Sequence, residues 1–111
     1  MALERWSETI WIDRLPAEPA LADELTLLEG LIEDRDPAPN LVLDLSRVDI
    51  LHSTNISRLL RLLTLVKRHH ARMHIVGPSD GVWTTFLASG LDGRFEFTSD
   101  ITTSLAQLQT T

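Results

Sequence analysis

Apolar residues recur along this chain with two alternating periods, one near two residues and one near three and a half. In Thr9-Ile10-Trp11-Ile12-Asp13, within a strand-like region 6–15, Ile10 and Ile12 share one face. Ser7-Glu8 reads as a turn out of a very short first strand, and Pro16 and Pro19 close the region because proline removes a ladder donor and fixes φ. Residues 20–33 switch to helical spacing, with Leu21, Leu25, Leu28 and Ile32 on one side, Leu31 nearby and acids opposite. A proline-punctuated loop, 34–40, leads to the run Leu41-Val42-Leu43-Asp44-Leu45. That run is too apolar for a half-exposed strand and suits a central one covered on at least one face.

The second helix is predicted over 54–69, with Ile56, Leu59, Leu60, Leu63 and Val66 as its inner stripe. Leu62 and Leu65 fall off that stripe, among Arg58, Arg61 and Arg68. Residues 72–76 read as another strand, closed by Gly77-Pro78. Ser79-Asp80 caps a third helix over 81–89, with Gly90 as its stop. Phe95-Glu96-Phe97 is a last short strand, and Ser99-Asp100 opens a last helix with Ile101, Leu105 and Leu108 on one side. Strands alternating with helices predict an α/β domain with a mixed, mostly parallel sheet of four to five strands and about four helices.

A strand that feeds a hydroxyl-rich turn at a helix start draws attention to His52-Ser53-Thr54-Asn55. The first-turn N–H groups are unpaired and the helix dipole is positive there. Ser53 or Thr54 can cap the helix, and either can carry a phosphate that the helix end would stabilise.

Composition narrows the function. The chain of 111 residues fits one domain, with no internal repeat or dividing linker. It has no cysteine, which excludes disulfides, thiolate metal sites and cysteine nucleophiles. No apolar run has the length of a membrane span and the N-terminus lacks a signal peptide, so a cytoplasmic protein without membrane insertion is expected. A net charge of -6 argues against general nucleic-acid binding. The charge is uneven: residues 13–36 are strongly acidic, whereas Arg58, Arg61, Lys67, Arg68 and Arg72 lie in a stretch without acids. This is either two solvated helix faces or a basic partner surface beside an acidic one.

Catalytic and metal chemistry find little support. His52 and Ser53 are neighbours, which rarely aims a base at a hydroxyl, and the Gly-x-Ser-x-Gly elbow is absent. His70 and His74 are separated by a helix-to-strand break, so His69, His70 and His74 read as a surface basic cluster rather than a zinc site. Gly-rich phosphate loops are missing. Trp6, Trp11 and Trp83 are expected to be buried, Trp83 only partly. No catalytic residue, metal or cofactor is assigned.

The segment Leu41-Val42-Leu43-Asp44-Leu45-Ser46 through His52-Ser53-Thr54-Asn55 resembles the signature of STAS domains, which include the bacterial anti-sigma-factor antagonists. That signature is a strand ending in Leu-Asp-Leu-Ser, a short hydrophobic link, then Asp-Ser-Ser-Gly or Asp-Thr-Ser-Gly opening a helix. Met73-His74-Ile75-Val76-Gly77, Ser89-Gly90-Leu91 and Phe95-Glu96-Phe97 are similar to later family elements, so a STAS-like domain is expected over 1–111 with its core at about 8–108. The resemblance implies a non-enzymatic regulator of transcription or signalling that switches partners. Its phosphoacceptor would be Thr54, with Ser53 as the preceding hydroxyl. Its surface toward an anti-sigma factor, serine kinase or other switch protein would be His52, Ser53, Thr54, Asn55, Arg58, Arg61, Leu62 and Leu65. His52 stands where the family has aspartate and Asn55 where it has glycine. These departures motivate an alternative, a constitutive STAS subunit of a membrane transport or signalling complex without phosphorylation. Leu62 and Leu65 would serve a homodimer equally well. An alternative of another class is a small anion- or nucleotide-binding domain using the helix end.

Overall fold

The computed structural model describes residues 3–110. Its elements in chain order are β1 (Leu3–Arg5), β2 (Ile10–Arg14), α1 (Ala20–Ile32), β3 (Asn40–Asp44), α2 (Ser53–Arg68), β4 (Met73–Val76), α3 (Asp80–Ala88), β5 (Glu96–Thr98) and α4 (Ile101–Gln109). The strands form one sheet in the order β1-β2-β3-β4-β5. β1 is antiparallel to β2, and every later pairing is parallel. The fold is therefore the mixed, mostly parallel α/β sheet that the pattern predicts, with five strands and four helices.

Because each parallel step moves the same way across the sheet, right-handed crossovers put α1, α2 and α3 on one face. The main core lies there. Trp11, Leu41, Leu43, Met73 and Ile75 from the sheet meet Leu21, Leu25 and Leu28 of α1, Leu59 and Leu63 of α2, and Val82 and Phe86 of α3. The opposite face carries a smaller core of Ile10, Ile12, Val42 and Val76, closed by Leu108 of α4 with Ile101 and Leu105 beside it. Alternation along β2 and β3 thus feeds both layers, which explains why residues 41–45 show no polar side.

Several expectations are corrected here. Leu62 and Leu65 are not outside the core stripe: their exposures are 0% and 7%. α2 packs on the sheet and also against α1, so it buries a wider arc than one stripe. Neither Ser53 nor Thr54 caps α2; the capping position is His52, with no side-chain cap bond. α3 and α4 do have caps: Ser79 Oγ accepts from the Val82 amide at 3.3 Å, and Asp100 Oδ1 from the Thr103 amide at 2.7 Å. Trp6 is exposed because the β1–β2 turn lifts it off the sheet, whereas Trp11 is buried between the Arg5 and Arg35 guanidiniums, 4.7 and 4.8 Å from its ring. His74 is no part of a surface cluster: it is fully buried under α4, where its Nδ1 shares a 3.0 Å hydrogen bond with Ser104 Oγ.

Candidate functional site

The link between β3 and α2 is short and held from inside. The Ser46 amide donates to Asp44 Oδ1 at 2.9 Å, and Val48 and Leu51 are buried, so the chain reaches His52 along one path. Ile50, between them, faces outward with 65% exposure. The link also seats α3, because Ser79 Oγ donates to the Val48 carbonyl at 3.4 Å and Gly81 lies against the Asp49 carbonyl.

α2 then begins with its polar tetrad split in two. His52, Ser53 and Thr54 are exposed. Neither the Ser53 nor the Thr54 hydroxyl makes a hydrogen bond; the Ser53 carbonyl accepts from Ser57 Oγ at 3.1 Å. Asn55 turns inward and is 2% exposed. Its Nδ2 donates to Glu18 Oε1 at 2.6 Å, and its Oδ1 accepts from Arg58 Nη1 at 3.1 Å. Asn55 therefore ties the loop before α1 to the first turn of α2 and holds Arg58 in place. It is a positioning residue, not a contact surface, which corrects its place among the predicted partner-binding residues.

One turn further, Arg61 is exposed and its Nη1 reaches Glu29 Oε2 of α1 at 3.4 Å. The acidic and basic stretches of the sequence thus meet across the α1–α2 contact and partly neutralise each other. Around the tetrad, Ile50, His52, Ser53, Thr54 and Arg61 are exposed and Arg58 is half-buried. Leu62 and Leu65 are buried, whereas Ile50 is the exposed apolar side chain nearest the tetrad in sequence. The exposure of Ile50 could not be read from the sequence, because a lone isoleucine in a loop carries no periodic signal.

A cavity of about 180 Å³ opens beside the tetrad, lined by Ala17, Glu18, Asp49, Ile50 and His52. Two carboxylates against one imidazole give it an acidic wall. That charge opposes a nucleotide or other anion entering the cavity, even though the α2 dipole alone would favour one. The first turn of α2 carries no acid, so a negative group on Ser53 or Thr54, outside the cavity, would meet the helix end favourably.

His52 and Ser53 do not hydrogen-bond to each other; the histidine–serine bond is that of His74 and Ser104, both fully buried away from any substrate. Among the described residues no cluster of three or more histidines, cysteines or carboxylates could hold a metal ion, and no helix is long and apolar enough to cross a membrane.

Comparison with known proteins places this geometry. The STAS domain family matches residues 8–107. No curated protein matches the sequence. Among solved structures, the anti-sigma factor antagonist SpoIIAA in its unphosphorylated form superposes with a TM-score of 0.81 at 16% identity, covering 98% of this chain and 96% of its own. RsbS from Moorella thermoacetica, in a serine-to-glutamate variant, superposes with a TM-score of 0.77 at 17% identity, covering 99% and 97%. At such identities these likenesses speak for the fold.

Proposed function

The chain belongs to the STAS domain family, and on that premise we propose that it is a non-enzymatic, cytoplasmic protein-interaction module of the anti-sigma-factor-antagonist type. It docks a protein partner, an anti-sigma factor or serine kinase by class, through Ile50, His52, Ser53, Thr54, Arg58 and Arg61. Phosphorylation at Thr54, or at Ser53, switches that contact.

One observation carries the reading. Both hydroxyls stand exposed on the first turn of α2 without any capping duty, so adding a phosphate disturbs no bond of the fold. The phosphate would bring roughly -1.5 to -2 charges to the positive end of the helix, which tolerates it, and into the middle of the docking surface, which does not. Arg58 and Arg61 give that surface a cationic edge, and Ile50 an apolar anchor, the mixture typical of interfaces.

The test is affinity capture from the native host with the unaltered chain, Arg61→Glu and Thr54→Glu, followed by phosphosite mapping. Recovery of a partner by the unaltered chain alone, with all three proteins equally folded, is the expected result. The second reading, a constitutive STAS subunit, draws on His52 and Asn55: the tetrad lacks the family's aspartate, and its glycine position is locked to Glu18 and Arg58. A stable assembly indifferent to Thr54→Glu would select it and set the switch aside.

A further inference from the structure

The other end of α2 holds a second concave site. The last turn of α2, the step into β4 and the loop before β5 enclose a groove of about 220 Å³ at the end of the sheet opposite the tetrad. α2 has 16 residues, which separates the two sites by about 24 Å. The floor is apolar and built from the core: Leu63, Met73 and Phe95 reach it and are 4%, 1% and 6% exposed. The rim is cationic: Lys67, Arg72 and Arg94 line it, with Glu96 as the one acid.

These charges are not equivalent. Arg72 is committed to Glu96 through two hydrogen bonds, from Nε at 3.1 Å and Nη2 at 2.5 Å, so that pair is neutral and fixed. Lys67 and Arg94 have no ion-pair partner among the described residues. A chain of net charge -6 therefore keeps two cations outside any ion pair over one apolar floor, Lys67 near enough to Glu96 to lower its carboxyl and Arg94 without such a neighbour among the described residues. Lys67 in the last turn already complements the α2 C-terminus, but that end of the dipole is satisfied by any exposed cation and does not require a groove.

We propose that this groove binds a small organic anion: a phosphate or carboxylate head held between Lys67 and Arg94, with a short apolar body on the floor. A guanidinium fork and an ammonium together suit either head group. The volume is below that of typical drug-sized pockets, so the ligand is a small one. This assignment does not depend on the partner-switch reading, since it uses none of the residues around the tetrad.

The test is an amide NMR titration of the full chain with phenyl phosphate and with benzoate, and with inorganic phosphate and phenol as controls. Saturable shifts confined to residues 67–73 and 93–96, with millimolar or better affinity, are expected for at least one of the two organic anions. Lys67→Gln/Arg94→Gln, an exposed pair whose loss leaves the core intact, is expected to weaken that binding at least tenfold. Inorganic phosphate binding as tightly would show that the floor takes no part and overturn the proposal. So would phenol binding equally well, shifts clustering at 52–55 instead, unchanged affinity in the double variant, or the absence of any saturable shift.

Discussion

Asp13 sits near the end of β2 with no exposure, and neither of its carboxyl oxygens has a hydrogen-bond donor. It shares its pocket with Glu24 of α1, itself 8% exposed and with Oε2 unpartnered. Two ionised carboxylates there would repel in a medium that screens poorly, so burial beside Glu24 favours the protonated form of Asp13. Burial first, then the neighbouring Glu24, push Asp13 up to about 8 from an ordinary 3.8. The folded state therefore holds a proton that the unfolded chain releases. This contribution to stability is complete below the ordinary value and is lost as pH rises through the folded one, with a limiting slope of about 1.4 kcal/mol per pH unit. Asp13→Asn keeps the shape and donates to Glu24. Urea midpoints compared between about pH 5 and pH 9 should show the variant gaining on the unaltered protein as pH rises. Parallel profiles would mean that Asp13 is ionised or hydrated in the folded state.

Elements show where sequence pattern suffices and where it fails. The helices and strands follow from apolar periodicity because Leu21, Leu25, Leu28 and Ile32, or Ile10 and Ile12, each face one layer only. α2 breaks that rule, since α1 packs against it and Leu62 and Leu65 are buried in the same core; single-helix spacing cannot announce a second neighbour. Leu62→Ala is therefore expected to destabilise the fold by about 2–5 kcal/mol, read from the denaturant midpoint, as a core truncation does. A change below about 0.5 kcal/mol would return Leu62 to the surface. α4 depends on a different residue. His74 joins Ser104 Oγ of α4, which in turn contacts Thr98 Oγ1. Its Nε2 is buried without a hydrogen bond, 3.8 Å from Glu96 Oε2, and Glu96 is itself engaged by Arg72. Burial holds His74 below the ordinary imidazole range of 6.5, with Glu96 opposing and Arg72 adding to the shift. The neutral form is thus the folded one. Its contribution is present above the ordinary value and is lost as pH falls toward the folded value. Exchange protection of α4 amides, corrected for intrinsic rates, should drop from about pH 7 to pH 5, and His74→Gln should remove that dependence.

At the scale of the whole molecule, the family was readable because it rests on local strings, the apolar run 41–45 and the tetrad that follows. The split within the tetrad was not, because Asn55 turns inward only to meet Glu18, 37 positions away. The Asp13–Glu24 and His74–Ser104 pairs escaped for the same reason: each joins a strand to a helix that the sequence places elsewhere. The described sheet ends on one side in β1, Leu3–Arg5, and on the other in β5, Glu96–Thr98, three residues each. A long bare edge would offer its main chain to any passing strand; these stubs carry Glu4, Arg5 and Glu96, and offer almost nothing to zip onto. At its described edges the sheet thus offers little main chain for a second copy to fuse with, which favours recognition through side chains on helices and loops over extension of its ladder.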